Sequence, residues 1–236
     1  MSSVLSTVKL HLNKRQITFL VPLYIIAAVA VTSVIVSLIF WRFGSVPGSD
    51  AWIEGGRSNP AFLYSFPGFL VYLGVQSIAT TFPFALTLGA TRRAFVAGTL
   101  VWAVLVSAYI TAALAILTTL ELATGHWFSG FHVFDTYVLG AGDLTQLIPT
   151  VFLGVLVCLV IGGAFAAAWV RWGAIGPQAV AAAVVLILGA ALLILIPAAP
   201  GIFAAFELWW LAVAAALVIA ICAVAAWLFL RPATVR

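Results

Sequence analysis

Six stretches of the sequence, at 18–40, 61–84, 94–120, 144–170, 177–196 and 208–230, contain no Asp, Glu, Lys or Arg. A helix needs about 20 mostly apolar residues to cross the hydrocarbon of a bilayer. Backbone placed there must satisfy its own hydrogen bonds, which leaves the helix as the form such stretches can take. The expected fold class is therefore an all-α membrane protein with six transmembrane helices, residues 1–236 making a single transmembrane domain. Charged residues are only 7% of the chain, against about 25% in ordinary soluble domains. The first apolar run is longer than the roughly 7–15 residues of a signal-peptide core, so it reads as a retained first span.

Between the second and third stretches the apolar run is broken by Pro83, Gly89 and the adjacent pair Arg92-Arg93. Arginine at the centre of a bilayer costs about 3 kcal/mol on insertion scales, so this pair marks a water boundary. The same sidedness extends along the chain. With the N-terminus inside, Lys9, Lys14, Arg15, Arg92, Arg93, Arg171, Arg231 and Arg236 share one side, and Arg42 and Arg57 fall on the other with all six acids. The balance is +8 against −4, and the positive-inside rule puts both termini in the cytoplasm.

Residues 2–15 carry Leu5, Val8 and Leu12 at helical spacing with Lys9, Asn13 and Lys14 turned away, the pattern of a helix lying in the interface. Residues 41–60 are rich in Gly, Ser and Pro and read as a loop. Gln76 is expected to make an interhelical hydrogen bond. Gly162-Gly163 and Ala166-Ala167-Ala168 offer small residues at four-residue spacing for close helix packing. The apolar segment at 202–207, after Pro197, Pro200 and Gly201, is too short to span and fits a re-entrant turn. The connector at 123–143 holds His126, His132 and Asp135, whose spacing matches no recognised metal pattern, and is expected to be a solvated loop.

Several chemistries are missing. The sequence has no G-x-x-x-x-G-K-[ST] phosphate loop, no H-E-x-x-H and no G-x-S-x-G. None of the six acids lies near the middle of a span, where coupled carriers keep an ionisable group. Cys158 and Cys222 both fall inside spans, where a free thiol acts as a small hydrophobe. The basic balance contains no run longer than two residues, so no nucleic-acid partner is expected. The reading is of a chain with no catalytic residue, no metal ligand set and no cofactor of its own. The rival classes are a serine intramembrane protease and a self-contained carrier or channel.

The run from Phe82 to Arg93, with Phe95 and Gly98-Thr99, together with Lys9 to Arg15 before a Pro22-bearing first span, resembles the permease subunit of bacterial ABC exporters of the second type. The resemblance implies a multi-pass protein of the cell (inner or plasma) membrane, paired with a separate ATP-binding subunit and with a second permease copy or homologue. It implies a coupling contact at Gly89, Ala90, Thr91, Arg92 and Arg93, an interfacial helix bearing Lys9, Lys14 and Arg15, and a re-entrant hairpin before the sixth span. Spans lined by Phe, Trp, Leu and Ala suit a hydrophobic or amphipathic cargo, with membrane lipids as the surrounding partner.

Overall fold

The computed structural model describes residues 3–233, apart from the side chains of Ser3, Phe128, Ser129 and Phe203. Residue 2 of the expected interfacial helix and Arg236 lie outside that range. Among the described residues the chain is mostly helical, without strands. The α-helices are α1 (Ser3–Leu12), α2 (Val21–Arg42), α3 (Asp50–Arg57), α4 (Ala61–Ala79), α5 (Thr81–Thr87), α6 (Arg92–Ala123), α7 (Leu144–Trp172), α8 (Ile175–Leu195), α9 (Ala199–Ala204) and α10 (Trp209–Leu230). Among the described residues six helical stretches are long and apolar enough to cross a membrane: Gln16–Arg42, Asp50–Thr87, Arg92–Ala123, Leu144–Trp172, Ile175–Ile202 and Trp209–Leu230. This is a multi-pass membrane protein.

The polar residues inside these helices are largely satisfied within their own helix. In α6 the hydroxyls of Thr99, Ser107, Thr111 and Thr119 each donate to the carbonyl four residues earlier, which keeps a hydroxyl paired in an apolar setting. Gln76 does the same in α4, donating to the Tyr72 hydroxyl at 3.1 Å. Its bond is thus intrahelical, not the interhelical one expected.

The chain forms two compact units. The first comprises Met1–His11, Val71–Val101 and Val157–Arg236. Its core is Ile78, Phe82, Ala85, Phe95, Val96, Ala166, Ala167, Ala226 and Leu230. Here α4 and α7 meet backbone to backbone: a Cβ placed on Gly162 would stand 2.1 Å from the Val71 carbonyl oxygen, and one on Gly74 2.2 Å from that of Leu159. Only glycine permits that approach, and the buried Ala166, Ala167 and Ala168 extend the seam, as the small-residue spacing predicted.

In the same unit α1 is fastened to α6. It buries Thr7, Val8 and His11, while Leu5 is exposed. The face turned to α6 is set by His11, whose Nε2 lies 3.0 Å from Thr99 Oγ1 and whose ring packs on Phe95. A polar pair that finds each other is cheaper to bury than either alone.

The second unit comprises Leu12–Leu70 and Trp102–Leu156. Residues 41–60, expected as loop, contain α3. Ser49 caps it by accepting from the Trp52 amide at 3.3 Å, with Asp50 in the first turn and Arg57 in the last, each suited to the helix dipole.

The glycine seam makes a prediction with a built-in control. Gly162→Ala should lower the stability of the detergent-solubilised chain by about 1–3 kcal/mol, because backbone must move to admit the methyl group. Gly154→Ala in the same helix, where the new Cβ meets open space, should be neutral or stabilising by up to about 1 kcal/mol. Thermal unfolding of the two variants side by side checks the contrast.

Candidate functional site

The connector after α6 is where the second unit concentrates its charge. Glu121, in the last turn of α6, is fully buried. Its Oε1 accepts from the amides of Val133 at 2.9 Å and Asp135 at 3.2 Å, and its Oε2 from the amide of Phe134 at 2.7 Å and the Trp127 indole at 3.0 Å. Four N–H donors fill the roughly four acceptor positions of a carboxylate. The connector is thereby wrapped around one anion.

Asp135, also fully buried, sits at the centre of a second set of contacts. Its Oδ2 receives Arg57 Nε at 3.2 Å and Nη2 at 3.0 Å, His126 Nε2 at 3.0 Å and His132 Nδ1 at 3.1 Å. The two imidazoles lie with ring centroids 4.0 Å apart. Helix α3 supplies the guanidinium and is held against the connector by three further contacts. The Trp52 indole donates to the Gly130 carbonyl at 2.7 Å, Tyr137 donates to Glu54 at 2.7 Å, and a Cβ on Gly56 would stand 2.8 Å from the His132 Cβ. Phe134 packs on Phe62 and Trp127, closing the apolar side.

The backbone that aims these groups is strained. Gly125, His126 and Trp127 are consecutive left-handed residues, with φ of 62°, 59° and 58°. For the two non-glycine residues that conformation costs on the order of 1–2 kcal/mol each. It is held by the Trp127 bonds to Glu121 and Thr124 and by the His126 contact with Asp135.

The connector is thus not the solvated loop that its polarity suggested. His126, His132 and Asp135 are brought together, with Glu121 and Arg57 beside them. Sequence reading noted the trio but had no reason to join it to Arg57, 78 residues from Asp135. The overlooked local signal was an acid placed directly at the end of a span, followed within 14 residues by the amides it binds.

The residues singled out between the second and third spans lie elsewhere, in the first unit. Gly89 and Ala90 form the turn after α5, and Thr91 caps α6 by accepting from the Ala94 amide at 3.3 Å. Arg92 and Arg93 are the first two residues of α6, a position where cations oppose the helix dipole. Arg92 avoids that cost by reaching the end of α10, where it donates to the carbonyls of Arg231 and Ala233, the latter at 2.8 Å. Arg93 is exposed, as are Lys9, Lys14 and Arg15.

Electrostatics at the site give it a signed pH response. Burial alone would push the Asp135 pKa up, but the hydrogen bonds from Arg57, His126 and His132 outweigh it and hold the carboxyl below its usual range. Burial, with the neighbouring His126, pushes the His132 imidazole down, against the pull of Asp135. Glu121 faces the same two imidazoles, with one of its oxygens and one nitrogen of each ring within 4.8 Å of one another. Since folded His132 resists protonation, the unfolded chain takes up a proton first, and stability falls as the pH drops below about 6.5. The Asp135 contribution is present above about pH 3.9 and is lost as the pH falls through its lower folded value. The melting temperature should decline between pH 7.5 and 5.5, with a shallower decline in His132→Gln. No known protein family, no characterised protein and no solved structure matches this chain, so the function has to be argued from this geometry.

Proposed function

We propose that the chain is a transport subunit, a membrane permease driven by a separate ATP-binding subunit, with both termini cytoplasmic and two permease copies or homologues forming the pathway. The observation that carries this reading is the corner between the second and third spans. Its base is fixed, with Phe82, Ala85 and Phe95 buried and Arg92 bonded to the end of α10. Its outer surface presents Phe84, Leu88, Thr91 and Arg93 to solvent. A rigid knob of apolar and cationic groups is the form of handle through which a motor could move the helices attached to it. The distribution of Lys and Arg supports the same side for that knob and for both termini.

A hydrophobic or amphipathic cargo is supported by two pockets in the second unit. One, of about 490 Å³, is lined by apolar groups including Leu23, Ile26, Ala30 and Phe134. The other, of about 520 Å³, mixes Ser33, Ser37 and Asn59 with Phe40 and Trp52. Glu121, the acid at the end of the third span, is held by four fixed N–H donors, which favours an external energy source over a self-contained carrier.

Arg93 is the residue with which to test the motor contact, because Arg92 is needed by the fold. Affinity purification of the tagged chain from its native membrane should bring down an ATP-hydrolysing subunit. Arg93→Glu should lower its yield by 10-fold or more, equivalent to about 1.4 kcal/mol, with the melting temperature unchanged. An unchanged yield removes the contact, and solute transport by the purified chain alone in vesicles removes the subunit reading.

A further inference from the structure

The contacts of Asp135 are unevenly shared. Four nitrogens crowd Oδ2, while Oδ1, equally buried, has no hydrogen-bond partner. Each carboxylate oxygen offers about two acceptor sites, so one oxygen is overloaded while the other is idle. Two of the four nitrogens belong to imidazoles, at 3.0 and 3.1 Å from Oδ2. Ligand atoms around a tetrahedral zinc ion, each about 2.0–2.2 Å from the metal, stand roughly 3.3–3.5 Å from one another. Both imidazole nitrogens thus stand a few tenths of an ångström closer to Oδ2 than two ligands of one ion would, so a small outward movement of the rings would admit a metal. A Glu121 oxygen and one nitrogen of each ring also lie within 4.8 Å of one another.

We propose that His126, His132 and Asp135 form a binding site for a divalent transition-metal ion of the zinc class. When the ion binds, Oδ2 of Asp135 ligates it and the Arg57 guanidinium, which otherwise shares Oδ2 with both imidazoles, moves to the idle Oδ1 and orients the ligand from outside the coordination sphere. Glu121, committed to its four N–H donors, adds negative charge nearby without ligating. Two buried carboxylates and one guanidinium leave a net charge of −1 when both imidazoles are neutral, which favours a cation. Two imidazoles with a carboxylate suit zinc, copper or nickel, whereas calcium and magnesium prefer all-oxygen sets. His132 also lines the 520 Å³ pocket, which gives the ion an entry route and leaves a fourth position for water. The strained turn at His126 and Trp127 is the form of backbone that persists where surrounding structure demands a particular side-chain aim. None of this depends on the transport reading.

The test uses the full-length chain in detergent, stripped with a chelator and held at pH 7.5. Titration with Zn²⁺ should show one equivalent bound and a higher melting temperature, while Mg²⁺ and Ca²⁺ give neither. Co²⁺ should give the visible bands of a nitrogen-ligated, four-coordinate ion. His126 is only 75% buried, with 25% of its side chain exposed, so His126→Gln should fold. It should weaken Zn²⁺ binding beyond the roughly 10–100-fold loss typical of an outer-shell partner. Absence of stoichiometric binding, equal response to Mg²⁺, a Co²⁺ spectrum without nitrogen ligation, or unchanged affinity in His126→Gln would each overturn the site. The wild-type Co²⁺ spectrum decides the matter even if a variant misfolds.

Discussion

A carboxylate removed from water at the end of a membrane helix must be compensated locally or it will unfold what surrounds it. The effective penalty for burying such an ion is several kcal/mol. Hydrogen bonds to a charged group contribute about 1.5–3 kcal/mol each, so the four N–H donors on Glu121 are sufficient to offset it. Three of them are consecutive backbone amides, and satisfying the anion therefore fixes the path of the connector. The position of Asp135 follows from that path, and the positions of Arg57, His126 and His132 follow from Asp135.

This arrangement explains why α3 exists. An eight-residue segment with two glycines has little reason to be helical on its own, since helices of its length are marginal in water. Its Ser49 cap helps, but it is the docking of Trp52, Glu54, Gly56 and Arg57 on the connector that supplies the tertiary support. The second unit thus gathers five of the six acids, Asp50, Glu54, Glu121, Asp135 and Asp143, into folded polar structure. The first unit is built on apolar contact and small residues, with Arg92 and Arg171 spending their charge on the carbonyls near the end of α10.

What could be read from the sequence was what depends on neighbours along the chain. The six spans follow from uninterrupted apolar runs, and the α4–α7 seam was announced by the spacing of Gly162, Gly163 and the alanines, although Gly74 on the opposite face was not. The rest turned on partners distant in sequence. The docking of α1 on α6 could not be read, because His11 is polar until Thr99, 88 residues away, is brought to it. The 123–143 connector looked solvated because its histidines and acids are polar one by one. Together, with Arg57 and three backbone amides, they form a buried structure. The corner at Gly89 to Arg93 was picked out correctly as a break, but only the structure distinguishes Arg92, which holds α10, from the exposed Arg93.

Amide hydrogen exchange at Val133, Phe134 and Asp135 tests most directly whether the connector is folded around Glu121. Their N–H groups should exchange at least about 100-fold more slowly than an unstructured loop, equivalent to roughly 2.8 kcal/mol of local opening free energy, and that protection should be lost in Glu121→Ala. Exchange at the rate of a solvated loop in the unaltered protein would contradict it.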